Sequence, residues 1–445
     1  MKRKIYNKLK DWKEKDRGKC AILIDGARRV GKSYIAEEFA KNEYKSYILI
    51  DFATVEEDVK KFFEHAASDL DLFFQELSSY YRTELYNRES LFIFDEVQRY
   101  PLARQLIKYL VKDGRYDYIE TGSLITLRKN VEKIVIPSEE EHIELFPMDF
   151  EEFLWAMGDT VTFPFVKERF DSLKPLGPAL HKKILSYYRQ YMLVGGMPQV
   201  VEEYAKSKDF EAIDRIKKRI LTLYREDITK FAKGYEDKVL AVFDELPSQL
   251  SKIEKKYKIS DLKQGSQFRT YESAFLWLSE AMVINNCYNA TDPSVGLSMS
   301  RDHSTRKYYM ADTGLLVTHS FMDKNFVNNE LYRSVLLDKI HVNEGMLTEN
   351  IVSQELRASG HKLFFYSRSD SQNRENNLEI DFLISRENKI SPVEVKSGNY
   401  RTHSSLDKFR KKYGKKLGKA YIVYSKDVML KDNVIHLPIY MAGLL

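Results

Sequence analysis

Between residues 20 and 150, short apolar runs alternate with segments of helical period. Ala21–Ile24, Ser46–Asp51, Leu91–Asp95, Tyr118–Thr121 and His142–Leu145 read as strands, with amphipathic stretches between them. Runs that are apolar on both faces belong to sheets covered on both sides. The alternation predicts an α/β fold whose parallel sheet carries helices on both faces. Upstream, residues 1–18 read as a basic amphipathic helix broken at Gly18. Downstream, Phe146-Pro147 ends the last strand and Asp149 opens a helix with an acidic first turn.

The pattern then changes. From about 150 to 290 strand signals nearly vanish and helical period dominates, as in Ile184–Tyr191, with Val194-Gly195-Gly196-Met197-Pro198 as punctuation. The helical Phe275–Ala281 followed by a strand at Met282-Val283-Ile284 suggests a winged helix, or equally a lid bundle that packs on the first domain. Polar residues around Asn289–Ser304 read as a loop. Beyond 340, a helix at 343–358 precedes strands near 362–367, 378–385, 390–396 and 419–424, a third unit of α+β or α/β character. The predicted domains are 1–155, 156–330 and 331–445.

The first strand runs into Gly26-Ala27-Arg28-Arg29-Val30-Gly31-Lys32-Ser33, and a helix follows from Tyr34. Strand, G-x-x-x-x-G-K-[ST] loop and helix, in that order, separate a phosphate-binding loop from a plain strand–turn–helix corner. Glycines let backbone N–H groups approach phosphates, and the helix N-terminus adds its positive end. Lys32 is placed to reach the β/γ-phosphates and Ser33 to ligate Mg²⁺, so ATP and Mg²⁺ are the expected cofactors. Leu91–Phe94 ends in Asp95-Glu96, acids at the strand end where open α/β sheets bind ligands. Asp95 is expected to hold the metal and Glu96 to activate water, although two acids after an apolar run also suit a solvated strand end. Thr121-Gly122-Ser123 ends a third strand, where the Thr121 hydroxyl is set to sense the γ-phosphate or the water, or simply to cap a turn.

A second cluster lies near the C-terminus. Leu378–Ile384 and Ile390–Lys396 read as neighbouring strands, so Glu394 and Lys396 share one face and Asp381 lies on the adjacent strand. An acid followed by acid-x-lysine is the PD-(D/E)xK nuclease arrangement, with Asp381 and Glu394 on Mg²⁺, Lys396 on the attacking water and Glu349 as a further ligand. The same spacing also arises on charged hairpins and in inactive descendants of that fold. Arg401, Lys408, Arg410, Lys411, Lys412, Lys415, Lys416 and Lys419 follow, opposed mainly by Asp407. Such a run grips phosphates or forms a solvated helix face.

Composition narrows the class. The 445 residues carry 43% hydrophobic and 31% charged side chains, a soluble globular balance with no apolar run long enough for a membrane span. The basic N-terminus lacks a following apolar stretch and does not read as a signal peptide. Only Cys20 and Cys287 are present, which excludes a disulfide framework or a cysteine-rich zinc site and fits the cytoplasm. A net charge of +5 does not by itself indicate nucleic acid.

Together Gly26–Ser33, Phe94–Gln98, Thr121–Ser123 and Phe146–Phe153 resemble a family of prokaryotic AAA-type ATPases with an uncharacterised C-terminal domain. Val194–Pro198, Tyr309–Leu316, Glu349-Asn350, Glu379–Phe382 and Glu394–Lys396 match its later landmarks. The resemblance implies an AAA-type core, a helical and winged-helix-like middle and a C-terminal restriction-endonuclease-like fold, and it supplies no substrate. Many relatives carry Gly-Arg where this chain has Ile136-Pro137-Ser138-Glu139-Glu140. An arginine facing the γ-phosphate is then expected from Arg128, Arg189 or Arg225, or from a neighbouring subunit. The expected function is ATP hydrolysis controlling the outer domains, with DNA or RNA as target. The alternative is an ATP-gated switch that binds DNA, a protein partner or itself through an inactive nuclease-like scaffold. No second RecA-like half suggests a translocating motor.

Overall fold

The first apolar runs fold into a five-stranded parallel sheet of order β2-β3-β4-β1-β5. Its strands are β1 Ala21–Gly26, β2 Ser46–Asp51, β3 Ser90–Asp95, β4 Asp117–Gly122 and β5 Glu140–Leu145. The computed structural model describes residues 1–122, 138–252, 270–293, 296–322, 344–368, 377–386, 388–398 and 404–445. Ser123, Arg128, Ile136, Pro137 and Arg401 therefore lie outside the described residues. The chain forms two units, Met1–Phe146 and Pro147–Leu445.

In the first unit β1, β3 and β4 are buried along their whole length, as strands covered on both faces must be. One cover is formed by α1 (Ile5–Asp16) and α2 (Lys32–Glu43), which bury Leu9, Trp12 and Phe39. The other consists of α3 (Glu57–Ala66), α4 (Leu70–Tyr81) and α5 (Pro101–Asp113). Aromatic rings fill that second layer. Phe63 and Phe73 meet edge to face at 5.0 Å, and Phe74 and Tyr116 at 4.8 Å. The crossover order places the C-terminal ends of β1, β3 and β4 side by side.

The second unit is built on an eight-stranded mixed sheet of order β12-β13-β11-β10-β9-β8-β6-β7. Its strands are β6 Ile284–Ala290, β7 Arg301–Met310, β8 Leu363–Arg368, β9 Leu378–Arg386, β10 Lys389–Val395, β11 Ala420–Tyr424, β12 Met429–Lys431 and β13 Val434–Pro438. The strand expected at Met282–Ile284 begins at Ile284, because Met282 takes a left-handed turn that ends the preceding helix. The β6–β7 hairpin is not a free wing. β6 pairs in parallel with β8 through Cys287, Tyr288 and Asn289, so the segments expected as middle and C-terminal domains share one sheet.

The punctuating motifs have a structural explanation. Asp312 caps the helix Thr313–Ser320 by accepting from Leu315 N at 2.8 Å, and also accepts from Gly196 N at 2.5 Å. Asn350, on the helix Glu344–Ala358, accepts from Met310 N at 2.8 Å and donates to Thr313 Oγ1 at 2.8 Å. The buried Lys217 ammonium donates to Leu193 O at 2.9 Å, at the end of the helix Pro178–Val194. Burial pushes its pKa down to about 8. Asp149 forms the reciprocal cap with Glu152 that its acidic first turn suggests.

Among the described residues, no helix is long and apolar enough to cross a membrane.

A Cβ at Gly196 would lie 2.2 Å from Met148 O, which is backbone and has no room to move aside. Gly196→Ala is expected to destabilise the second unit by about 1–3 kcal/mol, the usual range for overpacking. Urea unfolding followed by tryptophan fluorescence measures the loss, and an unchanged midpoint would contradict the close approach.

Candidate functional site

The loop after β1 follows from its residue types. Gly31 has φ +95°, a conformation that favours glycine, and α2 begins at the next residue. Arg28 and Arg29 project into solvent, whereas Lys32 is only 7% exposed. Its ammonium folds onto the loop, donating to Gly26 O at 2.9 Å and Ala27 O at 3.1 Å. Burial lowers its pKa, opposed by the nearby Glu96, Asp95 and Asp25 carboxylates. The loop thus already presents a cation and the first turn of a helix to one point, as a phosphate chain requires.

Three strand ends meet there. Ser33 Oγ donates to Asp95 Oδ1 at 2.8 Å, and the Thr121 hydroxyl at the end of β4 donates to the same oxygen. Glu96 N reaches Thr121 Oγ1 at 3.4 Å. A hydroxyl and a carboxylate in direct contact beside the loop form an all-oxygen set of the kind Mg²⁺ prefers. Glu96 has φ +54°, unusual for a side chain with a Cβ, at a cost of about 1–2 kcal/mol. Its carboxylate accepts from Gln98 Nε2 at 2.6 Å. Such strain concentrates at functional positions. Tyr34 is exposed on the first turn of α2, and its hydroxyl accepts from the Met1 ammonium at 2.6 Å.

Two supports of this site are not evident in the sequence pattern. Arg3 is buried and donates to Val30 O at 3.0 Å and Phe146 O at 2.6 Å, so the N-terminal segment clamps the loop. Beneath Gly26 lies a chain of charges. His142 on β5 contacts Asp25 at 2.8 Å and Glu140 at 2.7 Å, and Arg104 on α5 grips Glu140 at 3.1 and 2.7 Å. Two hydrogen bonds to carboxylates raise the His142 pKa to about 9, against its burial. Fully buried Glu120 on β4 is pushed well above the usual carboxylate range, first by burial and then by Glu140. The only sequence signal was an ionisable residue within a buried strand, which has to be paired or neutral.

Of the arginines weighed for the γ-phosphate, Arg128 lies outside the described residues and the other two belong to the second unit. Arg189 sits in the helix Pro178–Val194, and Arg225 in the helix Phe210–Phe231 is engaged by Asp244.

In the second unit, the pairing that ends at Val393 with Phe382 leads on to Glu394 beside Asp381. Asp381 Oδ2 accepts from Val395 N at 2.8 Å, and Lys396 donates to Glu394 at 2.7 Å. The residue that pattern reading missed is Lys307 on β7. It is 1% exposed, and its ammonium lies 2.8 Å from Glu379, 3.4 Å from Glu349 and 3.8 Å from Asp381. Tyr309 also donates to Glu349. Burial disfavours the Lys307 cation, yet these three carboxylates outweigh it and hold its pKa well above the usual range. Burial and Glu349 raise Asp381 to about 7, with Lys307 opposing. Among the described residues, no group of three acids, histidines or cysteines is arranged to hold a metal.

Comparison with known proteins assigns part of the chain. Residues 19–154 match the AAA domain family, and this unit is a P-loop AAA ATPase domain. Residues 185–325 and 344–441 match two domains of unknown function, DUF8612 and DUF4143. No curated protein matches. Among solved structures, the Walker-type ATPase PABY2304 of Pyrococcus abyssi shares 16% identity over 71% of this chain and 94% of its own, at a TM-score of 0.41. The Aeropyrum pernix ORC1 protein in complex with DNA shares 12% over 74% and 94%, at 0.28. Drosophila ORC bound to DNA shares 13% over 72% and 95%, also at 0.28. Likenesses this distant carry no functional argument.

The His142 pKa gives a pH signature. Raised from 6.5 to about 9 in the folded unit, the imidazolium contributes stability in full below pH 6.5. That contribution is lost as pH climbs from 6.5 through 9. Thermal melts across this window are expected to show a decline that His142→Gln flattens, and parallel profiles would contradict the imidazolium bridge.

Proposed function

We propose that the first unit hydrolyses ATP with Mg²⁺, and that its nucleotide state controls a second unit that acts on nucleic acid. The observation that carries the ATPase reading is the 2.8 Å contact between Ser33 and Asp95 beside the folded-back Lys32. On this reading the backbone of Gly26–Tyr34 cradles the phosphates, and Lys32 exchanges its loop carbonyls for phosphate oxygens. Ser33 and Asp95 hold the metal, which would neutralise charge on the transferring phosphoryl group. Glu96 orients the attacking water and takes its proton, while Thr121 fixes the Asp95 carboxylate and reports on the γ-phosphate.

For the second unit, binding is favoured over cutting. Glu349, Asp381, Glu394 and Lys396 supply the nuclease residue types, but Lys307 already takes the Glu349 and Asp381 carboxylates that a metal would need. A divalent ion about 3 Å from an ammonium is repelled by roughly 10 kcal/mol at an effective dielectric of ~20. The cluster instead ties β7 to β9 and to the helix Glu344–Ala358, as an internal cation in place of a metal.

Lys32→Ala is expected to abolish ATP turnover. Glu96→Gln should retain ATP binding and lose turnover on the order of a hundredfold or more, in a phosphate-release assay. A fully active Lys32→Ala protein would overturn the ATPase reading.

Metal binding tests the second unit separately. In a Lys32→Ala background without nucleotide, Mn²⁺ titration followed by electron paramagnetic resonance is expected to show no site at the cluster. Lys307→Met is expected to create one. Cleavage of DNA or RNA by the unsubstituted chain with Mn²⁺, lost in Asp381→Ala and in Glu394→Ala, would establish the nuclease reading instead.

A further inference from the structure

A groove of about 900 Å³ opens in the second unit, where the end of β9 and the starts of β10 and β11 approach the helix Ser404–Tyr413. Its ionisable lining is one-sided: Arg386, Lys389, Arg410, Lys411 and Lys419 against the single carboxylate of Asp407. The two arginines are pinned. Arg386 donates to Leu444 O at 3.3 Å and Leu445 O at 3.2 Å, and Arg410 to Asp432 O at 3.1 Å and Asn433 O at 3.4 Å. Neutral carbonyls orient the Arg410 guanidinium without cancelling its charge, and it has five N–H donors. Asp407 reaches Arg410 only at 3.9 Å. Lys389 and Lys411 are exposed and, among the described residues, pair with no acid.

Like charges gathered around a concavity repel one another, and this raises the local concentration of anions. The cations do not stop at the rim, since Lys408, Lys412 and Lys415 continue along and beyond the same helix. One phosphate is satisfied by two or three donors, so a strip of this extent suits a row of phosphates. We propose that this groove is a nucleic-acid backbone site, formed by the sheet end and the basic helix and separate from the Lys307 acid cluster. The proposal rests on the reading that the second unit acts on nucleic acid, and it names the surface. Recognition there runs through phosphates, so it is expected to be tolerant of base sequence and steep in salt.

The test uses the full chain without nucleotide and fluorescence anisotropy with labelled 20-mers, single-stranded and duplex, of DNA and RNA, from low to physiological salt. The paired substitution Lys389→Glu with Lys411→Glu is expected to weaken binding at least tenfold. It should also reduce the slope of log affinity against log salt by about 2. Lys233→Glu, elsewhere on the unit, is the charge control. Equal losses in pair and control, no loss in either, or retention of inorganic polyphosphate but of no nucleic acid would each overturn the proposal. ATP turnover of the same variants is expected to be unchanged, so failure of the groove is distinguishable from failure of the ATPase reading. Circular dichroism confirms that these surface variants fold.

Discussion

One carboxylate oxygen organises the first unit. Asp95 Oδ1 accepts from Ser33, at the start of α2, and from Thr121, at the end of β4. Three segments far apart in sequence are held at one point, at the C-terminal edge of a parallel sheet. The geometry exists because the strand order brings β3 and β1 to either side of β4. Arg3 and the Asp25–His142–Glu140–Arg104 chain then fix the loop from two further directions. A phosphate-binding loop has many backbone conformations available, and these contacts reduce them before any ligand arrives.

The second unit solves a different electrostatic problem. Four acids, Glu349, Glu379, Asp381 and Glu394, gather on or beside strands that are otherwise apolar. Buried carboxylates must be protonated, paired or metal-bound. Here the answer is two lysines, one of them on the β6–β7 hairpin, so the counter-charge also joins two parts of the sheet. Removing one partner of such a cluster leaves the others uncompensated, and that makes it a poor place for tolerated variation.

What could be read from sequence was what is local. The strand–loop–helix around Gly26–Ser33 is specified by adjacent residues, and so is the acidic end of β3. The strands at 362–367, 378–385 and 419–424 carry their own apolar pattern and are found within a residue or so of those bounds. Long-range pairing left no such trace. Nothing near Met282–Ala290 says that β6 will lie against β8, and a hairpin there reads naturally as a wing. Lys307 sits in a run of polar and aromatic residues, so its burial depends on partners 42 and more positions away. Arg3 looked like one more charge on a basic helix, yet its role is set by the fold of the loop it touches.

The shared sheet has a practical consequence for dissecting this protein. The two domains of unknown function meet the eye as separable pieces, one ending at residue 325 and the other starting at 344. A cut between them would split the β6–β8 ladder and strip Lys307 from its acids. Each recombinant fragment would expose an unpaired strand edge and an unbalanced buried charge, a recipe for aggregation. Fragment work on this chain is better placed at the junction of the two units near Phe146.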